Sequence, residues 1–198
     1  VQTAYVMQNL ADTCAAAGAS LDDHSLRIYS WFVAPDQDCD GGTWPGDGFT
    51  ITPYLEERDV VLTHDRSAST GMGIKNLLAK DTIIEIDLIL KTDTKKEQVQ
   101  LDVPTALAGY SQGLKSGDFV FTAGEHATDF KGDWGRAEYW GPRSAIQDEA
   151  RVPSQLFWYG LPLKLQTLKL LEKLESCGSS KDDVIHATFY YSHPKNLP

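Results

Sequence analysis

The sequence predicts an α+β protein made of two partial copies of one domain, each a mixed β-sheet with helices packed on one face. Three observations carry that expectation. A helix–turn–strand pattern is spelled twice without a gap: Leu10, Gly18, Ser20, Asp22 and Asp23 recur at a constant offset as Leu170, Gly178, Ser180, Asp182 and Asp183. Repetition of a whole unit at a fixed offset is the mark of duplication. Helical and alternating segments interleave along the chain, the order of a sheet covered by helices. The 198 residues, 41% of them hydrophobic, suffice for one large core or two cores of about 100 residues each.

The elements follow in order. Residues 2–17 set Val6, Leu10, Thr13/Cys14 and Ala17 on one helix face, and Gly18 stops that helix. Leu26–Val33 alternates as a strand. Residues 34–48, with Pro35, Gly41, Gly42, Pro45, Gly46 and Gly48, read as a loop. Thr50–Glu57 reads as a short helix entered through Pro53, and Asp59–Thr63 as a strand. Ile83–Leu90 is the strongest strand, isoleucine-rich with acids at 85 and 87. The polar stretch 91–100 marks a boundary, so copy one spans 1–97 and copy two 98–198. Copy two opens with a turn over Ala108–Gly113 and a strand over Asp118–Glu125. Residues 126–162, holding Trp134, Tyr139, Trp140, Trp158 and Tyr159, are expected to be a folded insertion covering a cleft or an interface. A second helix over 163–177 and its strand over 184–191 follow. Copy one lacks its opening strands and copy two its closing helix and strand, so a longer natural chain is expected.

Composition excludes several classes. A net charge of −10, with no basic run beyond Lys95-Lys96, disfavours nucleic acid, whose backbone needs concentrated Lys and Arg. The apolar stretches are too short to span a bilayer, and no signal-peptide pattern precedes them, so no membrane is expected. Cys14, Cys39 and Cys177 form neither a disulfide frame nor a zinc spacing. Cys14 and Cys177 read as small hydrophobes near the ends of the matched helices. A reducing, cytoplasmic setting fits this usage. His126, His186 and His193 lack metal-ligand spacing, and His64 reads as a turn residue, so no metal and no cofactor are expected.

Four segments, in order, carry a family resemblance: Gly109-Tyr110-Ser111-Gln112-Gly113 followed by Gly117–Gly124, the helix from Gln2 to Gly18 with its Asp-Asp turn, Arg66-Ser67-Ala68-Ser69-Thr70-Gly71, and Ile84-Glu85-Ile86-Asp87. Together they resemble the RidA/YjgF family, the reactive-intermediate (enamine/imine) deaminases, in a tandem-copy form. The resemblance implies chorismate-mutase-like sandwiches in a trimeric arrangement of copies, hence a homo-oligomer, with sites in clefts between neighbouring copies. It implies that Arg66 holds a substrate carboxylate, that Glu85 positions the attacking water and that Tyr110 lines the site. Ser67, Ser69, Thr70 and Gly124 would complete the binding wall. Two positions depart from the family pattern: Ala123 stands where a serine is usual, and Ala68 where a cysteine is common. The Ser-Ala-Ser-Thr-Gly wording is also similar to that of chorismate-hydrolysing relatives.

The chemistry is consistent with this frame. An enamine tautomerises to an imine, and the imine carbon then needs water and one proton shuttle. A guanidinium fixes a carboxylate through two parallel hydrogen bonds. Asp87 shares a strand face with Glu85, and two carboxylates there could raise one pKa, or the face could be plainly solvated. The reading leans to an enzyme: a metal-free hydrolytic deaminase acting on a small-molecule carboxylate at an inter-copy cleft. Its rivals are a chorismatase-like hydrolase or lyase acting on a larger cyclic acid, and a non-catalytic carboxylate-binding or assembly protein.

Overall fold

The structure, a computed structural model, describes residues 1–33, 51–100, 109–126 and 161–190. Residues 34–48 and Cys39, the aromatic insertion with its tryptophans and tyrosines, and His193 lie outside the described residues. Helix α1 (Gln2–Ala16) buries Thr3, Met7 and Cys14 along one face. It ends at Gly18, whose φ of +73° suits glycine alone among residues without local compensation. Ser20 then caps the short helix α2 (Leu21–His24), its hydroxyl accepting the Asp23 amide at 3.1 Å.

Strand β1 (Ser25–Val33) alternates strictly from Leu26 onward, with Leu26, Ile28, Ser30 and Phe32 buried and Arg27, Tyr29, Trp31 and Val33 half-buried. Helix α3 (Thr52–Val61) has proline in its first turn. The strand expected over Asp59–Thr63 is not formed, because the helix runs on through Val61. Tyr54 and Arg58, one turn apart, bury that helix face and Leu62 closes it, while Val60 is left exposed. Packing of a helical face outweighs the strand preference of two valines.

Strands β2 (Ala68–Ile74) and β3 (Ile84–Leu90) flank β1 in the order β2-β1-β3, the first parallel and the second antiparallel. A parallel pair needs a crossover, and α3 lies on it. Ile28, Phe32, Ile84 and Ile86 pack the inner sheet face against Met7, Cys14, Leu21, Tyr54 and Leu62. Burial pushes the Cys14 thiol pKa up, as for a packed thiol that takes no part in chemistry.

An antiparallel sheet follows, made of β4 (Glu97–Val99), β5 (Gly113–Ser116) and β6 (Phe119–Thr122), with Gly117 at a φ of +60° in the turn. Residues 1–100 and 105–124 form one compact unit, and residues 101–104 and 125–198 another. The hairpin expected to open the second copy therefore folds in the same unit as the residues expected to form the first. An Ala68–Ser111 bridge joins them, the Ser111 amide donates to the Arg66 carbonyl at 3.2 Å, and the Gly124 amide donates to the Ser69 carbonyl at 3.1 Å.

The second unit contains α4 (Leu161–Glu175), Gly178 at a φ of +80°, and a 3₁₀ turn over Lys181–Asp183 capped by Ser180 in a reciprocal capping box. The repeated residues thus build the same stop and cap in both units. Lys173 is buried, lies 3.7 Å from the Glu125 carboxylate and donates to the His126 carbonyl at 2.6 Å. The strand expected over 184–191 is not found over 184–190, which joins no ladder among the described residues. Its counterpart β1 is held by a strand at each edge; residues 184–190 have neither, and Ile185 stands 82% exposed.

Candidate functional site

Arg66 lies at the end of the turn that leads into β2, and its side chain reaches back to residue 109. Nη1 donates to the Gly109 carbonyl at 3.0 Å, Nε donates to the Leu62 carbonyl at 3.2 Å, and Nε also lies 3.2 Å from an Asp59 carboxylate oxygen. Asp59 in turn accepts from Arg58, which is almost wholly buried. The guanidinium expected to grip a substrate is therefore held by a protein carboxylate and two carbonyls, and it fastens the end of α3 to the start of the 109–113 segment. Glycine suits this position: its φ is +63°, and a Cβ would stand 2.9 Å from the Arg66 Nη1 and displace the guanidinium. Tyr110, the next residue, is half-buried beside this contact, so Arg66 positions the segment that carries Tyr110.

The remaining expected residues divide between the two faces of β2. Ser67 is buried with its hydroxyl 2.6 Å from that of Ser25. Ser69, opposite Ile28, points to the inner face, where Tyr54 also receives the Ser30 hydroxyl at 3.1 Å and burial raises the phenol pKa. These two serines are part of the packing between sheet and helices. Thr70 points the other way. It lies opposite Tyr29 on the outer face, accepts the Arg27 Nη2 at 3.0 Å, and has Gly124 directly against it. Ala68 and Ala123 are both buried, so neither departure from the family pattern puts a side chain on an open surface.

Arg27 is the residue the sequence reading passed over. It is the one charge in the alternating run Leu26–Val33, and period 2 already puts it on a face with Tyr29 and Trp31. Its guanidinium carbon sits 4.4 Å from the Tyr29 ring centre, Tyr29 stacks on Trp31 at 6.0 Å, and the buried Arg27 Nε has no hydrogen-bond partner among the described residues.

The acids of β3 lie on the same outer face, at the far side of β1. Glu85 is opposite Trp31 and Asp87 opposite Tyr29, and both are exposed. Register puts Glu85 level with Met72, two strands across and four residues beyond Ala68, a backbone separation of about 16 Å at ordinary strand spacings. Within one chain the structure does not bring Glu85 to Arg66. Asp87 is the nearer acid, level with Thr70 across Tyr29.

A polar cleft of about 540 Å³ opens elsewhere on this unit, between Asp23, His24, His64, Asp65 and residues 92–96. His64 lies 3.2 Å from Asp22 and 3.3 Å from Asp23, and the buried Lys96 donates to the carbonyls of Asp22 and His64. These contacts tie the Asp-Asp turn to the loop before β2. Among the described residues no group of His, Cys, Asp and Glu is placed to hold a metal ion, and no helix is long and apolar enough to cross a membrane. Comparison of the chain with protein-family models, with curated proteins and with solved structures finds no match.

Proposed function

We propose that this chain is a hydrolytic deaminase of small imine or enamine carboxylates, assembling as a homo-oligomer in a trimeric arrangement of its RidA-like copies and working in the cytoplasm. One observation carries the reading: residues from the start of copy two, Gly109, Ser111 and Gly124, are bonded or packed directly onto Arg66, Ala68, Ser69 and Thr70 of copy one. Such contacts between the two segments are what a site shared between copies would require. The reaction asks little of a protein: water adds to the imine carbon, ammonia leaves, and a ketone forms, with a carboxylate to relay protons and a rigid wall to orient the substrate.

Ammonia release from 2-aminoacrylate generated in situ tests the proposal. Arg66→Ala unfastens Gly109 and with it Tyr110, so the rate should fall by an order of magnitude or more while the circular dichroism of the sheet persists. An unchanged rate in that variant, or no ammonia above the spontaneous background from the unaltered chain, would refute it.

A further inference from the structure

We infer that Arg27, on the outer face of the β2-β1-β3 sheet, is the group that receives the carboxylate of a small planar organic acid, with Tyr29 as the platform beneath it. Calling that acid a substrate rests on the deaminase reading; the binding site itself does not.

The case starts from the contrast between three arginines. Arg58 and Arg66 both engage Asp59. Arg27 has no carboxylate partner among the described residues; its contacts are one threonine hydroxyl and the face of one ring. Its Nε–H is buried with no acceptor among the described residues, a condition native proteins rarely tolerate for a charged group. A carboxylate brings two acceptor oxygens in the plane of the guanidinium fork. A rotation of the guanidinium that brings Nε to such a ligand exchanges the neutral Thr70 bond for charge-assisted ones.

The surroundings select the ligand. Tyr29 lies under the guanidinium and is stacked, 19° from parallel, on Trp31. The stacked pair of Tyr29 and Trp31 beside the guanidinium offers an apolar wall to the body of a conjugated, planar acid. Thr70 is pressed from the far side by Gly124, which leaves no room for a Cβ, so the hydroxyl that steadies Arg27 is itself held. Asp87 lies directly across Tyr29 and diagonal to Arg27 on the same face, roughly 7 Å away between backbones. An exposed carboxylate at that distance from a bound acid group is within reach of the atom one or two bonds farther on, where a proton must be relayed.

Furan-2-carboxylate serves as the probe and furan-2-carboxamide, its uncharged isostere, as the control, each titrated into the full chain and followed by broadening of the probe proton signals. The carboxylate should bind and the carboxamide should not. Arg27→Lys should weaken binding at least tenfold, and Tyr29→Leu severalfold. In the unaltered protein, the Arg27 Nε–H resonance should shift on addition of the carboxylate, a readout that needs no variant. Equal binding by Arg27→Lys and the unaltered chain overturns the inference, and so does a loss confined to Arg66→Lys. Carboxylate binding through Arg27 without ammonia release keeps this site and removes the deaminase. Ammonia release that is unchanged in Arg27→Lys keeps the deaminase and overturns the assignment of the bound acid as its substrate.

Discussion

Gly124→Ala is the sharpest probe of the packing between β2 and the end of the β5–β6 hairpin. A Cβ at residue 124 would fall 2.6 Å from the Thr70 Oγ1, 2.9 Å from its Cγ2 and 3.2 Å from its Cβ. Neither partner can step aside cheaply. Thr70 is β-branched on a paired strand and accepts a bond from Arg27, while the Gly124 amide is held by the Ser69 carbonyl. Forcing a methyl into such a gap costs about 1–3 kcal/mol. In a unit of this size that is a fall in Tm of about 5–15 °C. Thr70→Ala deletes the two nearest atoms and leaves only the 3.2 Å contact. The double variant should therefore be less damaged than the sum of the singles, by about 1–2 kcal/mol in a double-mutant cycle. Chemical denaturation followed by far-ultraviolet dichroism measures all four corners. A Gly124→Ala variant as stable as the parent, or strictly additive effects, would show that residue 124 does not lie against Thr70.

Two further outcomes are expected. Leu62 is wholly buried between α3 and the sheet, so Leu62→Ala should cost about 2–5 kcal/mol, read as a lowered denaturation midpoint with an unchanged slope. Burial pushes the Glu125 pKa up against the opposing pull of Lys173; a folded-state pKa above the unfolded one means that this carboxyl's contribution to stability is fully present at acid pH and is lost as pH rises through the raised value. The difference in stability between the parent and Glu125→Gln, measured by denaturation from about pH 4 to pH 8, should show that loss, because the opposite contribution of His126, whose pKa burial lowers, is common to both.

What the sequence disclosed was local in origin. Gly18 and Gly178 adopt the left-handed stop, and Ser20 and Ser180 cap the turns after them, because a few neighbouring residues decide each feature. The strand Ile83–Leu90 was legible for the same reason. Where distant partners decide, the sequence was silent or misleading. Val60-Val61 reads as strand until Tyr54 and Arg58 are seen to bury the opposite side of a helix. Arg27 has no evident task until Thr70, forty-three residues away, is set beside it. The residues named from the resemblance separate likewise: Thr70 and Gly124 meet on the outer face, Arg66 positions Gly109, Ser67 and Ser69 turn inward, and Glu85 stands apart.

The stretch from Val184 to Tyr190 has a practical corollary. Among the described residues its amides have no ladder partner, and Ile185 and Phe189 are exposed beside them. Such a ribbon is adhesive, ready to recruit any passing backbone into a growing stack. Concentrating the protein invites turbidity that begins at this ribbon, and a lysine in place of Ile185 would serve as a gatekeeper against it.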